Sequence, residues 1–151
     1  MTAAPLLIAF VSDLMFTTRI ARAAEHLGYR VEWIETAAAL GPDADARAET
    51  PGELLHGRTG RLFEQVTRAQ PALLLFDLNN AAIPWREWIA ALKSSAATRR
   101  IPVLCFGPHE DVATMNAARA AGADAVLARS RFTADMPGLF ARYARVPDTA
   151  A

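Results

Sequence analysis

The sequence predicts a three-layer α/β/α sandwich around a five-stranded parallel sheet, and two observations lead to this fold class. Apolar runs of strand length alternate five times with segments of helical period. Strands that alternate with helices are joined by crossovers, so they run parallel and carry helices on both faces of the sheet. With 151 residues and 52% hydrophobic content, the chain suits one domain with a sizeable core. We expect this domain over residues 1–145, followed by a polar tail over residues 146–151.

The first two strands and the helix between them are predicted within residues 6–34. Residues 6–11 (LLIAFV) are apolar throughout, which is typical of a strand covered on both faces. Gly28 stands where a left-handed residue would end the following helix, and residues 31–34 (VEWI) predict a short strand near a sheet edge. The core face of the helix consists of residues at helical spacing: Phe16, Ile20, Ala23, Ala24 and Leu27.

A long connection is predicted over residues 36–59, where Ala, Gly, Pro, Asp and Glu follow one another with little periodicity. Helical period returns in four apolar residues: Leu62, Phe63, Val66 and Ala69. Pro71 ends this second helix, because a proline and the residue before it do not continue a helix. The apolar run over residues 72–78 then predicts the third strand.

The rest of the chain predicts three further helices and two further strands. Pro84 suits the first position of the third helix, the strands cover residues 101–106 and 125–127, and Gly122 ends the fourth helix. Apolar residues at helical spacing mark these helices: Trp85, Trp88, Ile89 and Leu92 in the third, Val112, Met115 and Ala118 in the fourth, and Met136, Leu139, Phe140 and Tyr143 in the fifth.

Composition excludes several classes of function. Sixteen basic residues balance sixteen acidic ones, so the chain has no net positive charge that would attract nucleic acid or an anionic membrane surface. The single cysteine, Cys105, excludes an internal disulfide and a multi-cysteine metal site, and its apolar surroundings predict an inert buried thiol. The start of the chain has neither a basic leader nor a long apolar run, so we expect a cytoplasmic protein.

Polar residues stand at the carboxyl ends of the predicted strands, where folds of this class place their sites. The first strand ends in Ser12 and Asp13, and the third ends in Asp77 with Asn79 two residues on. The others are Gly107 and His109 after the fourth strand, and Arg129, Ser130 and Arg131 after the fifth. The sequence therefore predicts a site at this edge of the sheet.

From about Leu6 to Tyr143 the chain resembles the receiver domain of bacterial response regulators, the CheY-like family with a flavodoxin-like fold. The matching stretches are FVSDLMFTTRIARAAEHLGYRV, LLLFDL, IPVLCFG and AARAAGADAVLARS. The run AGADAVLAR is similar to the family's AGAxxYLxK signature. The resemblance implies the strand order 2-1-3-4-5.

The resemblance also implies roles for three residues. Asp77 matches the phosphoacceptor, Asp13 matches the second acid of the metal-binding pair, and Asn79 matches the residue whose backbone carbonyl faces the metal. Oxygen ligands suit Mg²⁺, a hard octahedral cation. A weakly held Mg²⁺ is thus the implied cofactor.

Several positions depart from the family pattern. Ser12 replaces the other acid, which should lower metal affinity. Gly107 replaces the hydroxyl residue that contacts the phosphoryl group, and Arg129 replaces the lysine, a change of size and geometry. Ser130 replaces the proline after the lysine, and Val126 replaces the aromatic residue that couples phosphorylation to the output face.

These observations predict an atypical, stand-alone receiver or pseudo-receiver in signal transduction, not an enzyme. Asp77 would be either weakly phosphorylated in a phosphorelay or unmodified, and the output would pass through protein contacts. The resemblance implies a sensor kinase or another protein as partner and places the contact face around Val126, Met136 and Tyr143. Homodimerisation is one form of that contact.

Two alternatives stay open from the residues alone. One is a small-anion or small-ligand binding module that uses Arg129, Arg131 and His109 at the strand ends, although no glycine-rich phosphate loop occurs. The other is an enzyme with Asp13, Asp77 and His109 as acid and base. The chain lacks the GxSxG sequence that would activate a serine nucleophile.

Overall fold

A computed structural model describes residues 4–41 and 57–145. Its sheet has five parallel strands in the order β2-β1-β3-β4-β5, which confirms the predicted fold class and strand order. The strands are β1 (Leu6–Phe10), β2 (Arg30–Trp33), β3 (Leu73–Asp77), β4 (Val103–Gly107) and β5 (Ala125–Ala128). The helices are α1 (Leu14–Leu27), α2 (Gly57–Ala69), α3 (Trp85–Ser94), α4 (Val112–Ala121), α5 (Arg129–Ala134) and α6 (Met136–Tyr143), with a 3₁₀ helix at Ala37–Leu40.

Side chains that alternate along the strands divide the core into two layers. One layer packs β1, β3 and β4 against α2, α3 and α4. In this layer the rings of Phe10 and Phe76 stack with their centroids 4.1 Å apart, and Trp88 lies edge-on to Phe10. The other layer packs the opposite sheet face against α1, α5 and α6, and Phe106 stacks on Phe132 at 4.2 Å. Both faces of the sheet are therefore covered, as the apolar strands require.

The register brings the ends of the central strands to one edge. Phe10 pairs with Phe76, and Asp77 pairs with Phe106 of β4. The chain leaves β1, β3 and β4 at this carboxyl edge, and α1, α3 and α4 begin just beyond it. The polar residues after these strands consequently meet around one crevice.

Helix ends follow the predicted signals in two places. Gly28 and Gly122 adopt left-handed conformations, with φ of 75° and 118°, and their amides bond to carbonyls of the preceding turn. A side chain with a Cβ is strained at such angles. These glycines fix where α1 and α4 end.

The structure corrects the predicted connection over residues 36–59 at both of its ends. Residues Ala37–Leu40 form a 3₁₀ helix, because Ala37 and Leu40 are apolar and bury their side chains in the core. Helix α2 begins at Gly57, so residues 57–59 are helical. The middle of the connection and the tail over 146–151 lie outside the described residues.

One helix was missed. The predicted fifth helix is α6, and a short helix, α5, precedes it, because Asp135 leaves helical conformation at φ −154° and ψ 69° and caps α6 through the Gly138 amide. Val112 begins α4 with an exposed side chain, whereas Met115 and Ala118 form the core face of that helix. Within residues 4–41 and 57–145, no helix combines the length and apolar character that a membrane crossing needs.

Candidate functional site

Asp77 occupies the last position of β3, at the centre of the carboxyl edge. Its side chain is buried, with 5% exposed. The carboxylate accepts a hydrogen bond from the Asn79 amide at 2.9 Å, which closes a turn directly after the strand. The predicted phosphoacceptor is thus a carboxylate in a confined position.

Burial raises the pKa of Asp77 above its ordinary value. The Asn79 amide and the positive charge of Arg129 lower this pKa, while the nearby charge of Asp13 raises it further. Burial is the largest of these influences, because a carboxylate loses its hydration when it is enclosed. The site therefore favours the protonated form of Asp77 more than solvent would.

Asp13 lies close enough to Asp77 for the two charges to interact. Its side chain is exposed, and it caps α1 by accepting hydrogen bonds from the amides of Met15 at 2.9 Å and Phe16 at 3.3 Å. Aspartate is a preferred residue at this cap position. Asp13 therefore lies at the predicted place, and its Oδ1 atom caps α1.

Asn80 is a site residue that the sequence analysis missed. It is buried, and its side-chain amide donates to the Glu35 carbonyl at 2.9 Å and to the Phe10 carbonyl at 3.4 Å. Its Oδ1 accepts from the Ala82 amide, and its backbone amide donates to the Asp77 carbonyl. Asn80 therefore ties the loop after Asp77 to the ends of β1 and β2. The sequence signal was a second asparagine directly after an apolar strand.

Gly107 and Leu78 fill the part of the crevice where a receiver would carry a hydroxyl group. A Cβ added to Gly107 would lie 3.3 Å from the Leu78 Cβ atom and 3.4 Å from its Cδ1 atom. Leu78 is itself buried, and its backbone is held by the Phe106 carbonyl and by the Trp85 indole at 3.1 Å. An aliphatic side chain consequently packs against the position that would donate to a phosphoryl oxygen.

Arg129 begins α5 directly after β5. Its positive charge lowers the pKa of Asp77, so the guanidinium is near enough to act on that carboxylate. The Nε atom is buried, and it has no hydrogen-bond partner within residues 4–41 and 57–145. The cation predicted for this site is thus present, with one unused donor.

The residues at this edge fit a divalent cation poorly. Asp77 and Asp13 supply two carboxylates, and Asn79 can supply a backbone carbonyl, but Ser12 supplies no charge. In the part of the chain that the structure describes, no three His, Cys, Asp or Glu side chains cluster as a metal site would require. A hard cation such as Mg²⁺ needs several oxygen ligands in octahedral geometry and keeps waters to complete them.

The residues predicted for a partner face do not form one exposed surface. Val126 and Met136 are buried in the two core layers, because apolar side chains on β5 and at the start of α6 point inward. Tyr143 is half-buried, and the Arg142 guanidinium lies 5.3 Å from its ring centroid. Of the three, only Tyr143 offers surface to a partner.

The other predicted polar residues are exposed or inert. His109 is 80% exposed and lies 3.1 Å from Glu110, so it is a loop residue. Arg131 is exposed. Cys105 is fully buried, as predicted, and burial raises its pKa, which disfavours the reactive thiolate.

Comparison with solved structures identifies the fold in which this site lies. The receiver domain of a sensor histidine kinase from Pseudomonas aeruginosa, solved with a magnesium ion in its active site cleft, superposes with a TM-score of 0.67 at 14% identity. That match covers 93% of this chain and 98% of the other. This chain has the receiver-domain fold.

Other receiver-fold structures agree over similar lengths. A chemotaxis response regulator of Vibrio cholerae gives a TM-score of 0.66 at 13% identity and covers 93% of this chain and 99% of its own. A response regulator of Burkholderia multivorans gives 0.63 at 20% identity, over 93% and 94%. No protein-family model matches the sequence of this receiver-fold chain, and no curated protein matches it.

Proposed function

We propose that this chain is an atypical receiver domain that acts in signal transduction through protein contacts and without a phosphoryl switch. The packing of Leu78 against Gly107 carries this proposal. In a switching receiver a hydroxyl group follows the phosphoryl group, but here that position has no side chain and its surroundings are aliphatic. The molecule therefore lacks the part that would convert phosphorylation into movement.

Three contacts support the same conclusion. Burial raises the pKa of Asp77, which reduces the fraction of the nucleophilic carboxylate. Asp13 caps α1, so its Oδ1 atom is engaged, and Ser12 adds no charge for a metal. Asn80 holds the loop after Asp77 to β1 and β2. Each of these favours a fixed crevice over one that responds to a modification.

A treatment with Mg²⁺ and a small phosphodonor, with beryllofluoride as a second probe, tests the proposal. Intact mass measures modification, and the fluorescence of Trp85, whose indole bonds to the Leu78 carbonyl, reports movement of the loop. We expect unchanged mass and fluorescence in the native chain. A switching receiver treated in parallel must gain one phosphoryl group, which shows that the reagents are active.

The Asp77→Asn variant is the control for chemistry at the acceptor. A gain of one phosphoryl group that Asp77→Asn abolishes would contradict the proposal and establish an active receiver. A fluorescence response to beryllofluoride without a mass change would contradict the claim of a fixed crevice.

A second candidate, a small-anion binding module, is favoured by one observation. The buried Nε of Arg129 has no partner among the described residues, and arginine binds oxyanions through such donors. Titration with inorganic phosphate, followed by the same fluorescence, tests it. Binding that Arg129→Met removes and Arg131→Met keeps would favour this candidate over the pseudo-receiver.

A further inference from the structure

Three large hydrophobic side chains are exposed within residues 4–41 and 57–145, and all three lie at the carboxyl edge of the sheet. Leu14 is 79% exposed, Met15 60% and Val112 61%. Leu14 and Met15 are in the first turn of α1, and Val112 begins α4. Single exposed apolar residues are normal, but a concentration at one edge is typical of a contact surface.

The two halves of this edge lie on opposite faces of the sheet. Helix α1 packs on one core layer through Phe16, which contacts Phe106 of β4 and Phe132 of α5. Helix α4 packs on the other layer through Met115. Leu14 and Met15 therefore flank the crevice from one side, and Val112 flanks it from the other.

The halves also differ in charge. The half formed by α1 and α5 carries the exposed side chains of Arg19 and Arg131. The half at the start of α4 carries Glu110, 72% exposed, beside His109. Asp13, which caps α1, offsets one of these two positive charges. One half is thus basic with an apolar centre, and the other is acidic with an apolar residue next to it.

This pattern is self-complementary. A two-fold axis through the edge would set the basic half of one copy against the acidic half of the other, and the same contacts would form twice. The equal numbers of acidic and basic residues in the chain impose no overall repulsion between copies. A different protein would need to match both signs and both apolar groups, whereas a second copy of this chain already does.

We propose that the edge patch, formed by Leu14, Met15, Arg19, Glu110, Val112 and Arg131, joins two copies of this chain head to head. The contact covers the crevice that contains Asp77, so the dimer closes that carboxylate to other molecules. This inference stands apart from the proposed function, because it depends only on the surface. Three apolar side chains per copy form a small interface centre, so the dimer is weak, with a Kd of about 10 µM or above.

Sedimentation velocity from about 1 µM to about 1 mM tests the proposal. The native chain should shift from monomer to dimer across this range. Leu14→Glu should weaken the dimer by about tenfold or more, since it replaces a buried apolar contact with a charge. The fold should tolerate this change, because Leu14 is exposed and an acid is favourable in the first turn of a helix.

Ala141→Glu is the matched control. Ala141 is an exposed residue in the second half of α6, away from the edge. This variant should dimerise like the native chain. A native chain that stays monomeric over the whole range would overturn the proposal, and so would a dimer that Ala141→Glu weakens but Leu14→Glu does not.

Charge reversal tests the two-fold pairing directly. Arg131→Glu and Glu110→Arg should each weaken the dimer, because like charges then face each other, while the double variant should recover it. Added salt should reduce the difference between the single variants and the native chain. A double variant as weak as the two single ones would rule out the pairing of Arg131 with Glu110 and, with it, the head-to-head arrangement.

Discussion

Asp77 is a carboxylate at the end of a fully buried strand, and its charged form is favoured by the Asn79 amide and the Arg129 guanidinium. The pKa of Asp77 is nevertheless raised. The loss of hydration therefore outweighs these two contacts. The folded protein therefore binds this proton more tightly than the unfolded chain does. Ionisation of Asp77 costs stability, and the cost appears as pH rises from the unfolded to the folded pKa.

Asp77→Asn should consequently stabilise the protein at neutral pH. Asparagine keeps an oxygen for the Asn79 amide but carries no charge to bury. We expect a gain in the free energy of unfolding of roughly 1 kcal/mol at about pH 7. The gain should shrink as pH falls toward about 3.9, where the aspartate of the unfolded chain also becomes protonated. Urea unfolding followed by tryptophan fluorescence at several pH values measures it.

Asp13→Asn is the control for this experiment. Asp13 is exposed, and asparagine caps a helix about as well as aspartate does. This variant removes only the repulsion between Asp13 and Asp77, the smallest influence on the pKa of Asp77, so its gain should be well below that of Asp77→Asn. A lower stability of Asp77→Asn at neutral pH would show that the attraction of Arg129 outweighs burial.

The strand-end residues show what the sequence can predict at this scale. Asp13, Asp77 and Asn79 could be placed at one edge because parallel strands bring their carboxyl ends together. Their partners could not be predicted. Whether Asp13 binds a metal or caps α1 depends on the exact entry of the chain into the helix, and apolar periodicity does not record it. Their phosphoacceptor and metal roles stay predictions.

Asn80 holds the connection between β3 and α3 in place. Its hydrogen bonds reach carbonyls at the ends of β1, β2 and β3. Asn80→Ala would leave the carbonyls of Glu35 and Phe10 without this donor. We expect a loss of about 1–3 kcal/mol in the free energy of unfolding, since buried polar groups would lose their partners. Thermal or urea unfolding measures the loss.

The neighbouring asparagine provides a matched comparison. Asn79 is exposed, and its backbone amide, which binds Asp77, survives substitution. Asn79→Ala should change stability by less than about 0.5 kcal/mol. Equal effects of the two variants would show that the side-chain contacts of Asn80 do not stabilise the loop.

The helices could be predicted where periodicity and end signals agree. The apolar face of α1 and the left-handed Gly28 were both correct. The predicted fifth helix corresponds to α6. Helix α5 was missed, because its six residues bury a single apolar side chain, Phe132, and so show no helical period. Val112 lies in α4 as predicted but is exposed, since the first residue of a helix can satisfy the period without reaching the core.

Across the whole molecule, the fold follows the receiver pattern, whereas three positions at the strand ends depart from it. The sheet order and both core layers match a receiver, because they depend on apolar patterning that many sequences satisfy. Ser12, Gly107 and Arg129 depart from the receiver pattern without disturbing that fold. A fold does not by itself fix the chemistry of its site, so a residue at the strand ends can be altered without altering the fold.

Ser12→Asp tests this point. Ser12 is exposed just after β1 and precedes Asp13, whose charge acts on Asp77, so the variant adds a third carboxylate at this edge without touching the core. We expect Mg²⁺ to bind about tenfold more tightly than to the native chain, since a nearby negative charge attracts a divalent cation strongly. Titration calorimetry measures the affinity. Thr18→Asp adds the same charge on the exposed side of α1 and should leave Mg²⁺ affinity unchanged. Equal tightening in both variants would mean that net charge, rather than a receiver-like arrangement of ligands, governs metal binding.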